Sequence, residues 1–233
     1  IKKLARAKKL SLEDAARISR YTFFQELAKT LVFNKIALAH TLDDQAETII
    51  MKLVRGAGTR GLGGIPELRY LSPVLSIIRP LLGAKKAELK KYCSANKLTW
   101  REDLSNKQTD FLRNKVRINI LPGLRRLNPN ILETLNSMST TIKEEDRYLD
   151  ELANNALAKV IQKAVSQGIR IDQKTLNTYP IALQRRIVRL ALERVQGSPQ
   201  DIYLPFVENF LDNKLTTIQV DDRGKLHVSK DRL

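Results

Sequence analysis

Residues 36–66, IALAHTLDDQAETIIMKLVRGAGTRGLGGIP, bring a histidine, three carboxylates and five glycines into one short stretch. On a helix Asp44 and Glu47 share a face at a spacing of three, and Asp43 pairs with Glu47 at four. Two carboxylates on one face can orient a cation, either a metal or an ammonium group. His40, just before them, can donate to or accept from a reacting group. The plainer reading of the acids is that carboxylates in a first helical turn favour the macrodipole. The glycine run from Gly56 and Gly58 to Gly64 permits close backbone approach and positive φ. It follows a helix and lacks a Lys-Ser or Lys-Thr ending, so it is neither a dinucleotide fingerprint nor a Walker loop. On its own it reads equally as a flexible connector.

Two further groups carry chemistry. Asp103-Leu104-Ser105-Asn106 fits a side-chain-capped turn. Arg113 and Arg117 lie four apart on a helix and can grip a phosphate bidentately. Arg185, Arg186 and Arg189, with Lys159 and Lys163, extend the basic character into the second half, which suits backbone contact better than base reading. For Arg113 and Arg117, solvated helix arginines are the commoner outcome.

The elements that must position these groups follow from pattern. The spacing predicts a helix over 11–33, opened by the capping box Ser11-Leu12-Glu13-Asp14, with Leu12, Ala15, Ala16, Ile18, Phe23, Leu27 and Leu31 on its buried side. Ile36–Ala39 is a short apolar run that reads as a buried strand. A helix over about 42–55 turns Ile49, Ile50, Leu53 and Val54 to a core. Strand, polar residues at its carboxyl edge, then helix is where open α/β sheets bind ligands. Residues 72–82 are extended between Pro73 and Pro80. Residues 84–96 are helical with Leu89 and Tyr92 inward, and 111–121 are helical until Pro122-Gly123 interrupts them. There Arg113, Lys115 and Arg117 alternate outward among Val116, Ile118 and Ile120. A boundary falls at 128/129. Beyond it, 131–167 reads as one helix or two and 180–195 as another. The segments 216–220 and 225–228 flank Asp222-Arg223-Gly224 as a terminal hairpin.

Composition narrows the class. Forty-one Lys and Arg against 25 Asp and Glu give a net charge of +16, an excess that favours a polyanionic partner such as nucleic acid. One cysteine, Cys93, leaves no internal disulfide or CxxC metal site and fits a reducing cytosol. No apolar run approaches a bilayer's thickness.

Taken in order, several motifs resemble the tRNA(Ile)-lysidine synthetase family. They are Leu12-Glu13-Asp14-Ala15-Ala16-Arg17 with Arg20-Tyr21, Ala39-His40 through Asp44 to Glu47-Thr48, Arg55-Gly56-Ala57-Gly58 with Gly61-Leu62, and Ile78-Arg79-Pro80-Leu81. Trp100 with Asp103 and Ser105-Asn106, and Arg113-Asn114 with Arg117 and Pro122, complete the match over residues 11–122; Ala182-Leu183-Gln184-Arg185-Arg186 extends it more loosely.

The resemblance implies an α/β fold, a partial doubly wound parallel sheet of N-type ATP-pyrophosphatase kind in residues 1–128. A mostly helical, tRNA-contacting domain with a terminal β-hairpin would follow in 129–233. It implies a cytoplasmic ligase using ATP and Mg²⁺ that attaches L-lysine to C2 of cytidine 34 in tRNA(Ile) with a CAU anticodon, through an adenylated cytidine. A homodimer is compatible with it. By position His40, Asp44 and Glu47 would be catalytic, Glu47 meeting the lysine ammonium. Arg17, Gly56 and Gly58 would serve ATP, and Arg113, Arg117, Arg185 and Arg186 the tRNA. Two departures stand out. Thr41 occupies the place of a second histidine, and the family's Ser-Gly-Gly-x-Asp-Ser phosphate loop is absent and would precede residue 1. The chain by itself is therefore expected not to adenylate. The alternatives are a tRNA-binding module without chemistry and a related tRNA thiolase, the latter disfavoured where a cysteine pair is required.

Overall fold

The structure is a computed structural model that describes residues 1–7, 12–101, 112–165, 168–196, 204–220 and 226–229. Ser11 of the expected capping box, the Asp103–Asn106 turn and the Asp222–Gly224 turn lie outside the described residues. The chain divides into two compact units, 1–143 and 144–233.

In the first unit α1 (Lys2–Ala7) and α2 (Leu12–Thr30) lead to β1 (Lys35–Ala37), α3 (Leu42–Val54) and the single turn α4 (Thr59–Leu62). A hairpin of β2 (Leu68–Ser72) and β3 (Leu75–Ile78) follows, then α5 (Lys86–Ala95). The sheet order is β1-β3-β2. β1 runs parallel to β3, with Ile36 opposite Ile77, and β2 runs antiparallel to it, with Leu68 opposite Ile78. β3 is central, and Leu75, Ser76 and Ile77 are buried, as a strand covered on both sides requires. The run expected as a buried strand is instead an edge: in β1 only Ile36 is half-buried, while Lys35 and Ala37 are exposed.

Pro73 lies between the two arms of the hairpin, where its missing N–H costs no ladder bond. The Ser72 hydroxyl accepts there from the amides of Val74 (3.3 Å) and Leu75 (3.1 Å). The extended segment expected over 72–82 is thus one hairpin arm. On α2, Ala15 and Ala28 are buried, but Leu12, Phe23 and Leu27 are exposed, as is Leu31 just past its end. A three-stranded sheet leaves most of that helix's apolar stripe uncovered. Tyr21 meets Arg69 of β2 in a cation–π contact, 6.0 Å from the guanidinium to the ring centroid.

The helical run after residue 111 also departs from expectation. α6 (Leu112–Lys115) passes into a π-helical turn (Val116–Ile120) and then α7 (Leu121–Leu127) without a break. Pro122 sits in the first turn of α7, where a proline is tolerated. Val116 is buried while Ile118 and Ile120 are exposed, because the wider π turn changes which residues face inward. Leu42, Ala46 and Ile50 of α3 pack there with Val116, Leu121 and Leu132. Ile49 is buried too, but Leu53 and Val54 at the end of α3, and Tyr92 on α5, are exposed and reach no core.

The unit division falls inside α8 (Ile131–Val160), whereas the boundary expected at 128/129 marks the start of that helix. In the second unit the helix expected to reach residue 167 stops at Val160. β4 (Ile161–Val165) and β5 (Gly168–Ile171) follow as an antiparallel pair. The alternation of buried Ile169 and Ile171 with less buried neighbours is the strand period that the preceding helical pattern hid. After α9 (Gln173–Leu176), α10 (Ile181–Gln196) and α11 (Leu204–Asp212), β6 (Thr217–Val220) joins β5 and β7 (Leu226–Ser229) joins β6, both antiparallel. Leu157, Ile171, Leu176, Ile187, Leu192, Phe210 and Ile218 fill the core between sheet and helices.

Candidate active site

Thr41 starts the site. Its backbone is extended (φ −113°, ψ 174°) and it caps α3. The Asp44 amide donates to Thr41 Oγ1 at 3.4 Å, and Asp44 Oδ2 accepts from the Thr41 amide (2.8 Å) and hydroxyl (2.9 Å). This reciprocal box fixes one carboxylate oxygen and leaves the other, Oδ1, for Arg113 Nη2 at 2.8 Å. The threonine standing where the resemblance expected a second imidazole is therefore a helix cap that aims Asp44.

One turn on, Glu47 is 2% exposed, so its charge must be paired. Arg113 Nε donates to Oε2 at 2.7 Å, and Arg117 donates through Nε to Oε1 at 2.6 Å and through Nη2 to Oε2 at 3.0 Å. The hydrogen bond to Glu47 is the largest reason that Arg117 holds its proton more tightly than usual. The two arginines expected outward at phosphate are thus turned onto α3. The carboxylate expected to meet an ammonium is already met by two guanidiniums.

Asp43, on the next face, accepts from the Lys86 amide and from Arg125 Nη2, both at 2.8 Å, so α5 and α7 are tied to the same helical turn. These groups line a cavity of 420 Å³, with Thr41, Asp43, Asp44, Lys86, Arg117 and Arg125 in its wall. The volume lies within the rough 300–1,000 Å³ range of small-ligand sites. A larger cavity of 720 Å³ lies over the β2–β3 hairpin, but the acids of α3 do not line it, and the site is placed at the smaller one.

His40 is half-buried, and its Nδ1 accepts from Arg79 Nε at 3.2 Å. Burial is the largest reason its proton affinity falls below the ordinary value; Asp44 opposes the fall, while Arg79, Arg113 and Arg20 add to it. Arg20 thereby places α2 near this end of the site. Arg17, on the same helix, is exposed.

The glycine segment is held and not a free connector. The Ile65 amide donates to Gln45 Oε1 at 2.6 Å, and Ser139 Oγ donates to the Gly63 carbonyl at 2.6 Å. Gly64 has φ +71°, and a Cβ there would meet Gln45 at 2.7 Å. Gly56 (φ +72°) and Gly58 have open space around them. They follow the far end of α3, whose last residue, Val54, lies roughly 15 Å along the axis from Asp44 at 1.5 Å per residue, and so lie apart from the carboxylates.

In the second unit, exposed Arg185 donates to Glu208 at 2.6 Å. Arg186, with its side chain 11% exposed, donates to Asp146 and Asp150 at 2.6 Å each. Arg189 joins Asp150 at 2.7 Å. Sequence reasoning passed over the roles of Thr41, Gln45, Arg79, Arg125 and Ser139. Of these, Arg79 carried a signal as the polar member of Ile78-Arg79-Pro80-Leu81, and Thr41 one as the first residue of the capping pattern Thr41-x-x-Asp44.

Within the described residues the expected Mg²⁺ finds no matching donor set. Among the described residues no three His, Cys, Asp or Glu side chains are grouped to hold a metal. The oxygens of Asp43, Asp44 and Glu47 already accept from amides and guanidiniums.

A family model described as a PP-loop domain matches residues 1–124. The tRNA(Ile)-lysidine synthase of Symbiobacterium thermophilum is 42% identical over 194 residues, covering 81% of this chain and 40% of that protein. The one from Geobacter sulfurreducens is 35% identical over 236 residues (100% and 48%), and that of Bacillus subtilis 34% over 209 residues (89% and 44%). The chain thus spans a little under half the length of these curated relatives. Among solved structures, the U34-tRNA thiolase NcsA from Methanococcus maripaludis aligns at a TM-score of 0.46 with 18% identity, over 55% of this chain and 43% of that one.

Proposed function

The chain belongs to the PP-loop domain family, matched over residues 1–124, and from that premise we propose that it carries part of the catalytic machinery of a tRNA(Ile)-lysidine synthase. The reaction read for it has two steps. The C2 oxygen of cytidine 34 attacks the α-phosphorus of ATP and pyrophosphate leaves. The lysine ε-amine, having given up a proton, then attacks C2, and AMP departs with the former C2 oxygen.

The observation that carries this reading is the Asp44–Glu47–Arg113–Arg117 cluster beside a small acid-lined cavity, within a segment 34–42% identical to such synthases. Asp44, aimed by Thr41 and 22% exposed against 2% for Glu47, is the more accessible of the two carboxylates, and an incoming ammonium would share its Oδ1 with Arg113. Glu47 holds Arg113 and Arg117 preformed, so that positive charge faces the phosphate chemistry without reorganising. His40 stands at the reaction centre, Arg17 and the Gly56–Gly58 turn serve the nucleotide, and exposed Arg185 would exchange Glu208 for an RNA phosphate. Mg²⁺ would accompany the ATP phosphates, and no step is assigned to it. The three-stranded sheet is read as part of a doubly wound ATP-pyrophosphatase sheet, β6 and β7 as a terminal hairpin, and residues 129–233 as the tRNA-contacting portion of a cytoplasmic enzyme.

The test uses the full-length protein with ATP, L-lysine and tRNA(Ile) bearing a CAU anticodon. Lysine-dependent AMP release with lysine recovered on cytidine 34 is expected. Tight tRNA binding without ATP turnover would make it a binding module, and sulfur incorporation would make it a thiolase.

A further inference from the structure

We propose that Arg79 is a positioning residue that fixes the His40 imidazole as the neutral tautomer protonated on Nε2, so that this histidine offers an N–H donor and not a base at Nδ1. A guanidinium keeps its protons throughout the accessible pH range and has no acceptor. The nitrogen facing Arg79 Nε at 3.2 Å, which is His40 Nδ1, must therefore present its lone pair. In a neutral ring the single proton is then on the other nitrogen.

Arg79 is not free to turn away. It is 6% exposed, its Nη1 donates to the Pro66 carbonyl at 2.6 Å, and its own amide donates to the Glu67 carbonyl at 3.0 Å. A second proton on His40 would have to enter on Nδ1, against the Arg79 N–H, and would break the contact. The charged groups around the ring come from four directions: Asp44 on α3 favours a cation, while Arg79 beyond β3, Arg113 on α6 and Arg20 on α2 oppose one. Three cations against one carboxylate, in a half-buried position, keep the ring neutral.

The consequence for chemistry rests on the lysidine reading. Where negative charge builds on oxygen or phosphate, a preformed N–H stabilises it. The tautomer itself does not depend on that reading.

In ¹⁵N NMR of the histidine-labelled full-length protein, the His40 imidazole is identified by the signals that His40→Gln removes. In the neutral range the Arg79 protein is expected to give a single N–H on Nε2 and an unprotonated Nδ1. Arg79→Met is expected to admit the second tautomer and move the titration midpoint upward toward the ordinary 6.5. A ring protonated on Nδ1 in the Arg79 protein overturns the proposal. So does a folded Arg79→Met protein, judged by its methyl spectrum, with the original tautomer ratio and midpoint. Should Arg79→Met fail to fold, the Arg79 spectrum alone decides. None of these readouts involves ligation, so loss of the functional reading and loss of this one are distinguishable.

Discussion

Glu47 is a charge that folding has taken out of water and then surrounded, and its neighbours measure what the surroundings contribute. Glu47→Gln leaves two guanidiniums facing a neutral amide. Because Arg113 and Arg117 keep 30% and 28% of their side-chain exposure, the cost falls below that of a fully buried broken pair, at about 2–3 kcal/mol, readable as a lower urea midpoint. Asp44→Asn keeps a capping oxygen and loses a single charge, so a stability cost of about 1 kcal/mol or less is expected. In the full-length protein the same change should abolish lysine-dependent AMP release while most tRNA affinity remains; equal loss of both would make Asp44 structural. His40 adds a pH dependence. Its folded proton affinity lies below the ordinary 6.5, so the unfolded chain binds more protons as pH falls past that value. Its stabilising effect is complete above the unfolded value and declines as pH drops toward the folded one. Urea midpoints should fall between about pH 7.5 and 5.5, and His40→Gln should flatten that slope.

At the scale of elements, α3 is the organiser: its first turn carries the carboxylates and the cap, and Gln45 on its inner side pins the glycine segment. Gly64→Ala tests the pin, since a Cβ at φ +71° would also sit 2.7 Å from Gln45. A loss of about 1–3 kcal/mol is expected from the strained backbone, measured by thermal unfolding, whereas Gly58→Ala, with open space around it, should cost much less. α3, α10 and the polar turn after β1 were legible because a 3.6-residue apolar period and a capping pattern are local properties. The aim of Arg113 and Arg117 was not. They sit on either side of the point where an α turn gives way to a π turn, and a period counted on one helical geometry fails there. The β4–β5 pair was missed for a related reason. The apolar pattern of α8 runs on into Ile161 and Val165, and the alternation at Ile169 and Ile171 is too short to announce itself. Exposure of Phe23 and Leu27 was equally hidden, since pattern tells which face is apolar and not what covers it.

Across the whole molecule, the +16 charge argues for a polyanionic partner, but the pairing of arginines changes which residues carry that argument. Arg113, Arg117, Arg125, Arg185, Arg186 and Arg189 all meet carboxylates of the same chain. Charge neutralised in this way releases few counterions, so the excess must act through exposed side chains such as Lys91 and Arg126. Affinity for tRNA should fall steeply with salt. If these two residues each neutralise one phosphate, Lys91→Ala and Arg126→Ala should each reduce the log–log slope by about 0.7–0.9. Arg186→Ala separates the two uses of a cation. Held by Asp146 and Asp150 with 11% exposure, it should lower the unfolding midpoint by an amount corresponding to roughly 2 kcal/mol and leave the salt slope nearly unchanged. A reduced slope with unchanged stability would instead place Arg186 on RNA. Filter binding of tRNA at four or five salt concentrations, alongside urea unfolding of the same variants, reads both quantities and assigns each arginine to the fold or to the partner.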